Sequence, residues 1–329
     1  MDRVQFIHRF TLDEEREKRE LIAGLLVRPA AIPPRYFYDE LGCALYGAIC
    51  QLPEYYPTRT EVALFQAHRA QIAEAVGSGR QFVDLGAGDC CKAQSWIPFV
   101  APRRYIAVDI AASEIDRALT KMANDVPELE LVGVVTDFSR SLDLDGVLGP
   151  GPVTFFYPGS SIGNFGPDEA RAFLERVQRY CAERPGSGLL IGVDGKKDKA
   201  RLDAAYDDAL GVTAAFNRNA LRHLNRRYGF DFDVNGFGHR GFYNAAAGRI
   251  EMHLESLRAQ DVRLDAAAPI SMGRLADVVR HFAPGERIHT ENSYKYHREE
   301  FEALLASAGF TRIRAWESAT EPYRVFYAE

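Results

Sequence analysis

The chain has 329 residues, enough for one large domain or two ordinary domains with a sizeable core. Its 47% hydrophobic and 26% charged residues are typical of a soluble globular protein, and the net charge of −6 argues against nucleic-acid binding. The apolar runs are short and the charged N-terminus lacks a signal-peptide pattern, so we expect no membrane span. The five cysteines include the vicinal pair Cys90 and Cys91, which predicts a cytoplasmic protein without a disulfide framework or a metal site.

The first predicted elements are helices over residues 11–52, interrupted by a Pro-Pro pair. The stretch LPEYYPTRTE follows, with two adjacent tyrosines before a proline. Pro57 favours an extended conformation for Tyr56, and neighbouring side chains of an extended segment point to opposite sides. We therefore expect one of the two rings to pack inward and the other to face something else, and the pattern alone does not decide which ring is which.

Thr58 and Glu61 form a capping-box pattern, Thr-x-x-Glu, which predicts the start of the next helix. Strands then alternate with helices as far as residue 195, a pattern typical of a doubly wound parallel sheet. The predicted strands lie, in order, in QFVDLGAGD, RRYIAVDI, LELVGVVTDF, VTFFYPGS and GSGLLIGVDG.

The pattern changes after Asp194. Residues 202–229 are predicted to be mostly helical, with Thr213 as the N-cap candidate, and residues 239–264 to form antiparallel strands with alternating apolar and polar positions. A helix over residues 298–310 and a closing pair of strands complete the chain.

These elements predict an α/β fold in which a doubly wound domain is interrupted by an insertion. The doubly wound domain comprises residues 61–195, to which residues 286–329 return. Residues 1–60 and an inserted segment over residues 196–285 are expected to form a second, α+β domain.

The segment VDLGAGDCCKA, residues 83–93, is a glycine loop between a strand and a helix. Gly86 and Gly88 allow the backbone to approach a nucleotide closely, although such loops are common. A dinucleotide site has a third glycine where this chain has Cys91. Asp84, just before the glycines, suits the ammonium-bearing end of S-adenosylmethionine, so both NAD and S-adenosylmethionine are candidates for the loop.

Acidic residues end the next two predicted strands. Asp109 can accept hydrogen bonds from ribose hydroxyls. NAD sites use an acidic residue in the same way, so Asp109 does not distinguish NAD from S-adenosylmethionine. Asp137 can accept from the adenine amino group while Phe138 stacks on the base, although a turn or a helix cap is the alternative role for Asp137. Together with the antiparallel strand pair at the C-terminus, these features favour S-adenosylmethionine over NAD.

Several longer stretches resemble the histidine Nα-methyltransferases of ergothioneine biosynthesis, in the order and spacing of that family from about residue 30 to 300. These stretches are RYFYDELG, LPEYYPTRTE, PGSSIGNF, AAYDDALGVTAAFNRN, GRIEM and TENSYKY. The resemblance implies a Rossmann-like class I methyltransferase sheet with a second, substrate domain. It also implies transfer of three methyl groups from S-adenosylmethionine to the α-amine of L-histidine, giving hercynine.

The resemblance implies roles for individual residues. The expected cofactor-binding residues are Tyr38, Gly86, Lys92, Asp109, Asp137 and Phe138. Asn164 and Tyr206 are expected to hold the substrate carboxylate, Tyr55 to lie by the substrate amine as the catalytic residue, and Glu291 and Ser293 to bind the imidazole.

The chemistry of the substrate residues is consistent with these roles. Asn164 and Tyr206 offer neutral donors to a carboxylate. Glu291 and Ser293 are two residues apart in an extended segment, so both can face one ring and select its two nitrogens. The chain differs from the family at Tyr46, where a phenylalanine is usual, which leaves an N-methyltransferase of another amino acid or imidazole compound as the alternative. A hypothesis of a different kind is that the chain is a regulatory or assembly protein that binds the cofactor but catalyses no reaction.

Overall fold

The computed structural model describes residues 4–9, 13–264 and 278–329. The described residues divide into two compact units. Unit 1 draws on residues 1–11, 57–196 and 295–329, and unit 2 on residues 12–56 and 197–294. Throughout the described ranges, no helix combines the length and the apolar character that crossing a membrane requires.

The strands of the described residues are numbered in chain order. They are β1 Val4–His8, β2 Ala30–Ala31, β3 Gln81–Leu85, β4 Arg104–Asp109, β5 Glu130–Val135, β6 Val153–Tyr157, β7 Gly188–Asp194, β8 Phe237–Asn244, β9 Arg249–Ser256, β10 Gln260–Arg263, β11 Val279–Phe282, β12 Arg287–Tyr294, β13 Ile313–Glu317 and β14 Tyr323–Ala328.

The α-helices of the same residues are numbered likewise. They are α1 Glu14–Leu26, α2 Glu40–Ile49, α3 Tyr56–Ala67, α4 Arg69–Val76, α5 Cys91–Gln94, α6 Ile97–Val100, α7 Ala112–Asp125, α8 Pro167–Ala182, α9 Lys199–Tyr206, α10 Val212–Tyr228 and α11 Arg298–Ser307. Short 3₁₀ helices cover Pro34–Phe37, Ser161–Asn164 and Val234–Gly236.

Unit 1 is built on an eight-stranded sheet with the order β1-β5-β4-β3-β6-β7-β14-β13. The strands from β1 to β7 in this order are parallel, and β14 is antiparallel to both of its neighbours. The chain moves from β3 to β4 on one side and returns to β6 on the other. Ligands of open α/β sheets bind at such a switch point, beyond the carboxyl ends of the strands. The predicted doubly wound sheet is confirmed.

The sheet of unit 1 is buried on both faces. Val83 and Phe155 lie in the core on one face, whereas Phe82 and Phe156, their neighbours along β3 and β6, lie in the core on the other face. Successive side chains of a strand point to opposite faces, so a sheet covered on both sides needs continuous apolar runs. That requirement explains why these strands lack an alternating polar pattern.

Unit 2 contains a four-stranded sheet with the order β2-β12-β9-β8 and a separate pair of strands, β10 and β11. β9 is antiparallel to both β8 and β12. Ile250, Met252 and Leu254 are buried on one face of β9, as the alternating pattern predicts. The predicted antiparallel strands of this region are therefore confirmed.

The predicted boundaries differ from the structure in two places. Residues 1–60 were expected to belong to the second domain, but β1 pairs in parallel with β5 in unit 1. A Cβ on Gly133 of β5 would overlap the Phe6 ring, so the absence of a side chain at that position makes room for β1. The insertion was expected to end at residue 285, but β12 pairs with β9, and unit 2 extends to Tyr294.

Two predicted helix starts are wrong. Helix α3 begins at Tyr56, so Thr58 lies inside it and does not cap it, and Tyr56 does not end an extended segment. Pro57 is compatible with this position because the first N–H groups of a helix have no intrahelical acceptor. Helix α10 begins at Val212, and the Asp208 carboxylate accepts the backbone N–H of Thr213 at 2.7 Å. Thr213 is therefore not the N-cap.

Candidate active site

The glycine loop between β3 and α5 bends through left-handed conformations. Gly86, Gly88 and Cys90 have φ angles of 71°, 50° and 59°. Glycine adopts such angles without steric cost, whereas Cys90 does so as an exception. A Cβ on Gly86 would lie 3.5 Å from the Phe138 ring, and one on Gly88 would meet no atom within 4 Å. The loop therefore has open space beside Gly88, where a ligand can approach the backbone.

Asp109, at the end of β4, holds this loop in place. One carboxylate oxygen accepts the Gly88 N–H at 2.9 Å, and the other accepts the Ala111 N–H at 2.9 Å. A carboxylate has about four acceptor positions, so these two bonds leave capacity for ribose hydroxyls. Sequence reasoning found the acidic residue but not its contact with the loop.

Asp137 and Phe138 follow β5, as predicted. The Asp137 carboxylate accepts from the backbone N–H of Ser139 at 3.2 Å and from the Ser139 hydroxyl. It therefore closes a turn, which was the alternative role considered for it. Phe138 packs edge to face on Tyr157, with ring centroids 5.8 Å apart, and a Cβ on Gly86 would lie 3.5 Å from the Phe138 ring. The ring and the glycine loop are thus neighbours.

Asp84 is the buried carboxyl group behind the loop. It is 3% exposed, and the Tyr105 hydroxyl donates to it at 2.8 Å. Burial raises its pKa from 3.8 to about 7, and the hydrogen bond from Tyr105 opposes that rise. A cationic ligand would favour the ionised form, so the group suits a sulfonium and ammonium compound better than a pyrophosphate.

Lys92 lies one residue into α5. Its ammonium group is 2.8 Å from a carboxylate oxygen of Glu61, which is 1% exposed. Sequence reasoning had assigned Glu61 to a helix cap and missed this contact. Asn164 ends the 3₁₀ helix Ser161–Asn164 and is half-buried in the same unit.

Unit 2 contains a cluster of aromatic rings. The ring centroids of Tyr38 and Tyr46 are 5.9 Å apart, those of Tyr46 and Tyr55 are 6.5 Å apart, and those of Tyr55 and Tyr206 are 5.9 Å apart. Phe216 lies 5.7 Å from Tyr38. A hydrogen bond links the hydroxyls of Tyr46 and Tyr55. The hydroxyl that distinguishes Tyr46 from the family's usual phenylalanine therefore contacts Tyr55, the predicted catalytic residue.

Burial keeps the phenols of Tyr38 and Tyr55 neutral. It raises the pKa of Tyr55 well above its usual value, and the pKa of Tyr38 rises in the same way, first through burial and then through the negative charge of Glu291. Tyr38 was predicted as a cofactor residue, yet it belongs to unit 2, and the charge of Glu291 reaches it. Neutral phenols can donate and accept hydrogen bonds but do not act as bases near pH 7.

Glu291 and Ser293 lie on one face of β12, opposite Met252 and Ile250 of β9. They are 9% and 4% exposed. The Tyr206 hydroxyl donates to Ser293 Oγ at 3.1 Å. The structure therefore brings together three of the predicted substrate residues, because the pairing of β12 and β9 turns the polar pair toward the side of the sheet that also carries the aromatic cluster.

His239 is a further residue of this region that sequence reasoning missed. Its Nε2–H donates to the Tyr206 carbonyl at 2.8 Å, and its Nδ1 accepts from the Asn217 amide at 2.8 Å. Burial lowers the pKa of His239, which favours the neutral ring that this pair of bonds requires. The sequence contains only part of the information needed to find His239. Its partner Asn217 lies within the stretch AFNRN, which carries the resemblance, but His239 lies outside that stretch.

The predicted residues divide between the two units. Unit 1 holds Gly86, Lys92, Asp109, Asp137, Phe138 and Asn164. Unit 2 holds Tyr38, Tyr55, Tyr206, Glu291 and Ser293.

The order of the strands decides between the two nucleotide folds that the glycine loop allowed. The NAD-binding sheet is continued by a parallel strand, whereas here β14 is inserted antiparallel between β7 and β13. Unit 1 therefore has the fold of the class I methyltransferases, which use S-adenosylmethionine.

The particular family follows from the sequence as a whole. The family described as "Histidine-specific methyltransferase, SAM-dependent" matches residues 17–329, and the chain belongs to this family. It is an enzyme, and S-adenosylmethionine is its cofactor.

Three relatives show the range of the similarity. A histidine N-alpha-methyltransferase of Mycolicibacterium smegmatis is 38% identical over 91% of this chain and 90% of its own. The ergothioneine biosynthesis protein 1 of Neurospora crassa is 27% identical over 89% of this chain, which spans 32% of that protein. A 4-dimethylallyltryptophan N-methyltransferase of Arthroderma benhamiae is 26% identical over 92% of this chain and 90% of its own.

Proposed function

We propose that the enzyme methylates the α-amine of L-histidine three times, giving hercynine for the biosynthesis of ergothioneine. The observation that carries the proposal is the buried set of Glu291, Ser293 and Tyr206 on one side of the sheet in unit 2. The membership of a histidine-specific family and the similarity to a histidine N-alpha-methyltransferase support it.

Glu291 and Ser293 explain how a histidine side chain would be selected. An ionised carboxylate accepts the N–H of an imidazole, and a hydroxyl two residues away can meet the second ring nitrogen. Both side chains are buried, so a substrate without those two nitrogens leaves polar atoms unsatisfied. A site that hydrogen-bonds a specific group discriminates strongly against analogues that lack it.

The other end of an amino acid carries a carboxylate and an amine. The phenol of Tyr206 is a neutral donor for the carboxylate, and Asn164 of unit 1 is the second donor that we predict. Tyr55, whose hydroxyl is bonded to that of Tyr46, is the residue that we assign to the amine.

The residues of unit 1 fit S-adenosylmethionine. Asp109 would bind the ribose hydroxyls, Asp137 and Phe138 the adenine, and the open side of the loop at Gly88 the amino-acid end. The buried carboxyl of Asp84 suits the positive charge of this compound. When bound, S-adenosylmethionine supplies an electrophilic methyl group.

The residues of the chain then have to present the amine lone pair. The pKa of an unperturbed α-amine is about 8, so a modest fraction is neutral near pH 7. That lone pair would take the methyl group of S-adenosylmethionine held by the residues of unit 1, and the amine proton would pass to water. The neutral Tyr55 phenol orients the nitrogen and does not take the proton, because burial raises the pKa of Tyr55. Orientation of this kind contributes several kcal/mol to catalysis.

We also infer that the reaction takes place in the cytoplasm. All five cysteines lie in the described residues, and no disulfide joins any two of them. A chain with this cysteine content and no disulfide suits a reducing compartment.

The function is tested by incubating the purified enzyme with S-adenosylmethionine and each amino acid in turn, with mass spectrometry as the readout. Histidine should gain one, two and then three methyl groups, with hercynine as the end product. The similarity to a 4-dimethylallyltryptophan N-methyltransferase makes tryptophan derivatives the most informative competitors. Turnover of another amino acid but not of histidine would contradict the substrate assignment. Cofactor binding without turnover of any amino acid would instead indicate that the substrate is not an amino acid.

A further inference from the structure

Glu61 is a buried carboxylate of unit 1 to which no role in the proposed reaction has been assigned. It lies on α3 and is 1% exposed. Because α3 begins at Tyr56, Glu61 lies in its second turn, away from the helix N-terminus that a capping box would require. Its burial must therefore be explained by its contacts.

Three donors from three different elements meet this carboxylate. Lys92 of α5 approaches one oxygen at 2.8 Å. The backbone N–H of Gly159, which follows β6, and the hydroxyl of Tyr323, in β14, each donate to the other oxygen at 2.6 Å. A buried carboxylate is tolerated when it is paired with a cation and its remaining lone pairs are hydrogen-bonded, and both conditions are met here.

Two glycines leave the space that these contacts need. A Cβ on Gly192 of β7 would overlap the same Glu61 oxygen. A Cβ on Gly159 would lie 3.1 Å from Lys92 Nζ, and the φ angle of Gly159 is 80°, which favours glycine independently. The Glu61 carboxylate and its partner Lys92 thus occupy space that Gly192 and Gly159 leave open.

Two of the three donors, Lys92 and Gly159, are connected to residues of the proposed reaction. Lys92 is itself predicted to bind the cofactor. Gly159 is followed by Ser160, whose hydroxyl accepts the Asp194 N–H at 2.8 Å, and then by the 3₁₀ helix that ends at Asn164. Holding the Gly159 N–H therefore fixes the start of the segment that carries Asn164.

We propose that Glu61 is a positioning residue, whose carboxylate sets Lys92 for the cofactor and the turn at Gly159 for Asn164 at the same time. The inference rests on the proposed function, since it assigns Glu61 to the reaction through those two residues.

The replacement Glu61→Gln separates this role from plain packing. Glutamine keeps the shape and one carbonyl oxygen, which can still accept from Gly159 and Tyr323. Its amide group then faces the Lys92 ammonium as donor to donor, and the negative charge is gone. A hydrogen bond to a charged group is lost, which should raise the Kd of S-adenosylhomocysteine about tenfold. The KM for histidine should rise as well, because a neutral carbonyl oxygen holds the Gly159 N–H more weakly than a carboxylate does.

A double-mutant cycle tests whether Glu61 acts through Lys92. We expect Lys92→Met and Glu61→Gln each to raise the Kd of S-adenosylhomocysteine, and the double variant to bind it no more weakly than the weaker single variant. Tyr323→Phe is the matched control, because it removes one donor to the same carboxylate and leaves the other two. That variant should lose stability while keeping the wild-type Kd and kcat.

Calorimetry with S-adenosylhomocysteine, kinetics with histidine and thermal melting give the three readouts. Additive effects in the cycle, or a Glu61→Gln variant that melts lower but keeps the wild-type Kd and KM, would overturn the proposal. If Glu61→Gln does not fold, Glu61→Asp takes its place in the cycle with the same expectation, since it keeps the charge but withdraws it from Lys92. A wild-type enzyme that binds S-adenosylhomocysteine without methylating histidine would refute the proposed substrate and leave the link between Glu61 and Lys92 to be judged by the cycle.

Discussion

Binding of S-adenosylmethionine should depend on pH through Asp84. Burial raises the pKa of this carboxyl to about 7, so in the free enzyme it is mostly protonated at pH 6 and half ionised at pH 7. A ligand that carries a sulfonium and an ammonium group favours the ionised form. Affinity should therefore rise with pH, and binding near pH 7 should release a proton from the enzyme.

The size of the effect follows from the fraction of ionised Asp84. That fraction is about 9% at pH 6 and about 50% at pH 7, so the Kd should fall about fivefold over this interval if the complex binds through the carboxylate alone. At pH 7 the release should be about half a proton for each ligand bound. Above pH 8 the amine of the ligand itself loses its proton, so the interval from pH 6 to 7 is the informative one.

Calorimetry in two buffers with different ionisation enthalpies measures both the Kd and the proton release. Asp84→Asn should bind more weakly and should show no such release. Tyr105→Phe removes the hydrogen bond that opposes the rise in pKa, so its transition should move to higher pH. A Kd that stays constant from pH 6 to 7, with no proton release from the wild type, would refute the assignment of Asp84 to the positive charge.

The same pKa has a consequence for stability with the opposite sign. The folded, unliganded protein holds a proton on Asp84 that the unfolded chain releases near pH 3.8. The contribution of this group to the free energy of unfolding should therefore decrease as the pH rises from about 4 to about 7.

The remaining predictions concern unit 2. Tyr55→Phe should slow methyl transfer in a single turnover with little change in the melting temperature. Tyr56→Ala should instead cost about 3–5 kcal/mol of stability, because the Tyr56 ring is fully buried beneath the cations of Lys197 and Arg201. Wild-type turnover of Tyr55→Phe beside an inactive but folded Tyr56→Phe would reverse the two roles. His239→Leu should raise the KM for histidine about fivefold through the lost bond to the Tyr206 carbonyl, at an unchanged Kd for S-adenosylhomocysteine, and His239→Gln, which can keep that donor, should recover part of the loss. Equal KM values for the two His239 variants would show that the bond to Tyr206 does not position the tyrosine.

The parts of the fold that follow from local patterns were predictable. The apolar runs around Val83 and Phe155 are long, bounded by turns and separated by helical segments, so they indicated a buried parallel sheet without any knowledge of their partners. The alternation from Ile250 to Glu255 indicated an antiparallel strand for the same reason.

The parts that depend on distant partners were not predictable. β1 joins unit 1 because Gly133 leaves room for the Phe6 ring, and nothing near residue 6 shows that. Thr58 and Glu61 match a capping box in their letters, but Glu61 is used by donors 31, 98 and 262 residues away in the chain.

The candidate site shows the same division. The stretches that carry the resemblance contain Tyr206, Glu291 and Ser293. The structure brings these three residues into one region, because β12 and β9 pair in the register that turns both polar residues of β12 to one face. The raised pKa of Asp84 depends on its burial in unit 1, and the hydrogen bond from His239 to the Tyr206 carbonyl depends on a contact between distant residues of unit 2. A single sequence shows neither.

The central claim is that Glu291 selects the imidazole of histidine. Glu291→Gln keeps the shape of the side chain and removes its charge, and the matched control is Glu251→Gln, a glutamate of similar burial on the neighbouring strand, which pairs with Asn292 and not with Glu291. Loss of a charged hydrogen bond should lower kcat/KM for histidine about ten- to a hundredfold in Glu291→Gln.

The decisive measurement is kcat/KM for histidine in the wild type and in these two variants, beside the Kd of S-adenosylhomocysteine. We expect Glu291→Gln alone to lose kcat/KM, with the Kd unchanged in both variants. Wild-type kcat/KM in a folded Glu291→Gln variant would contradict the assignment of the imidazole to Glu291, and with it the proposed basis of substrate selection.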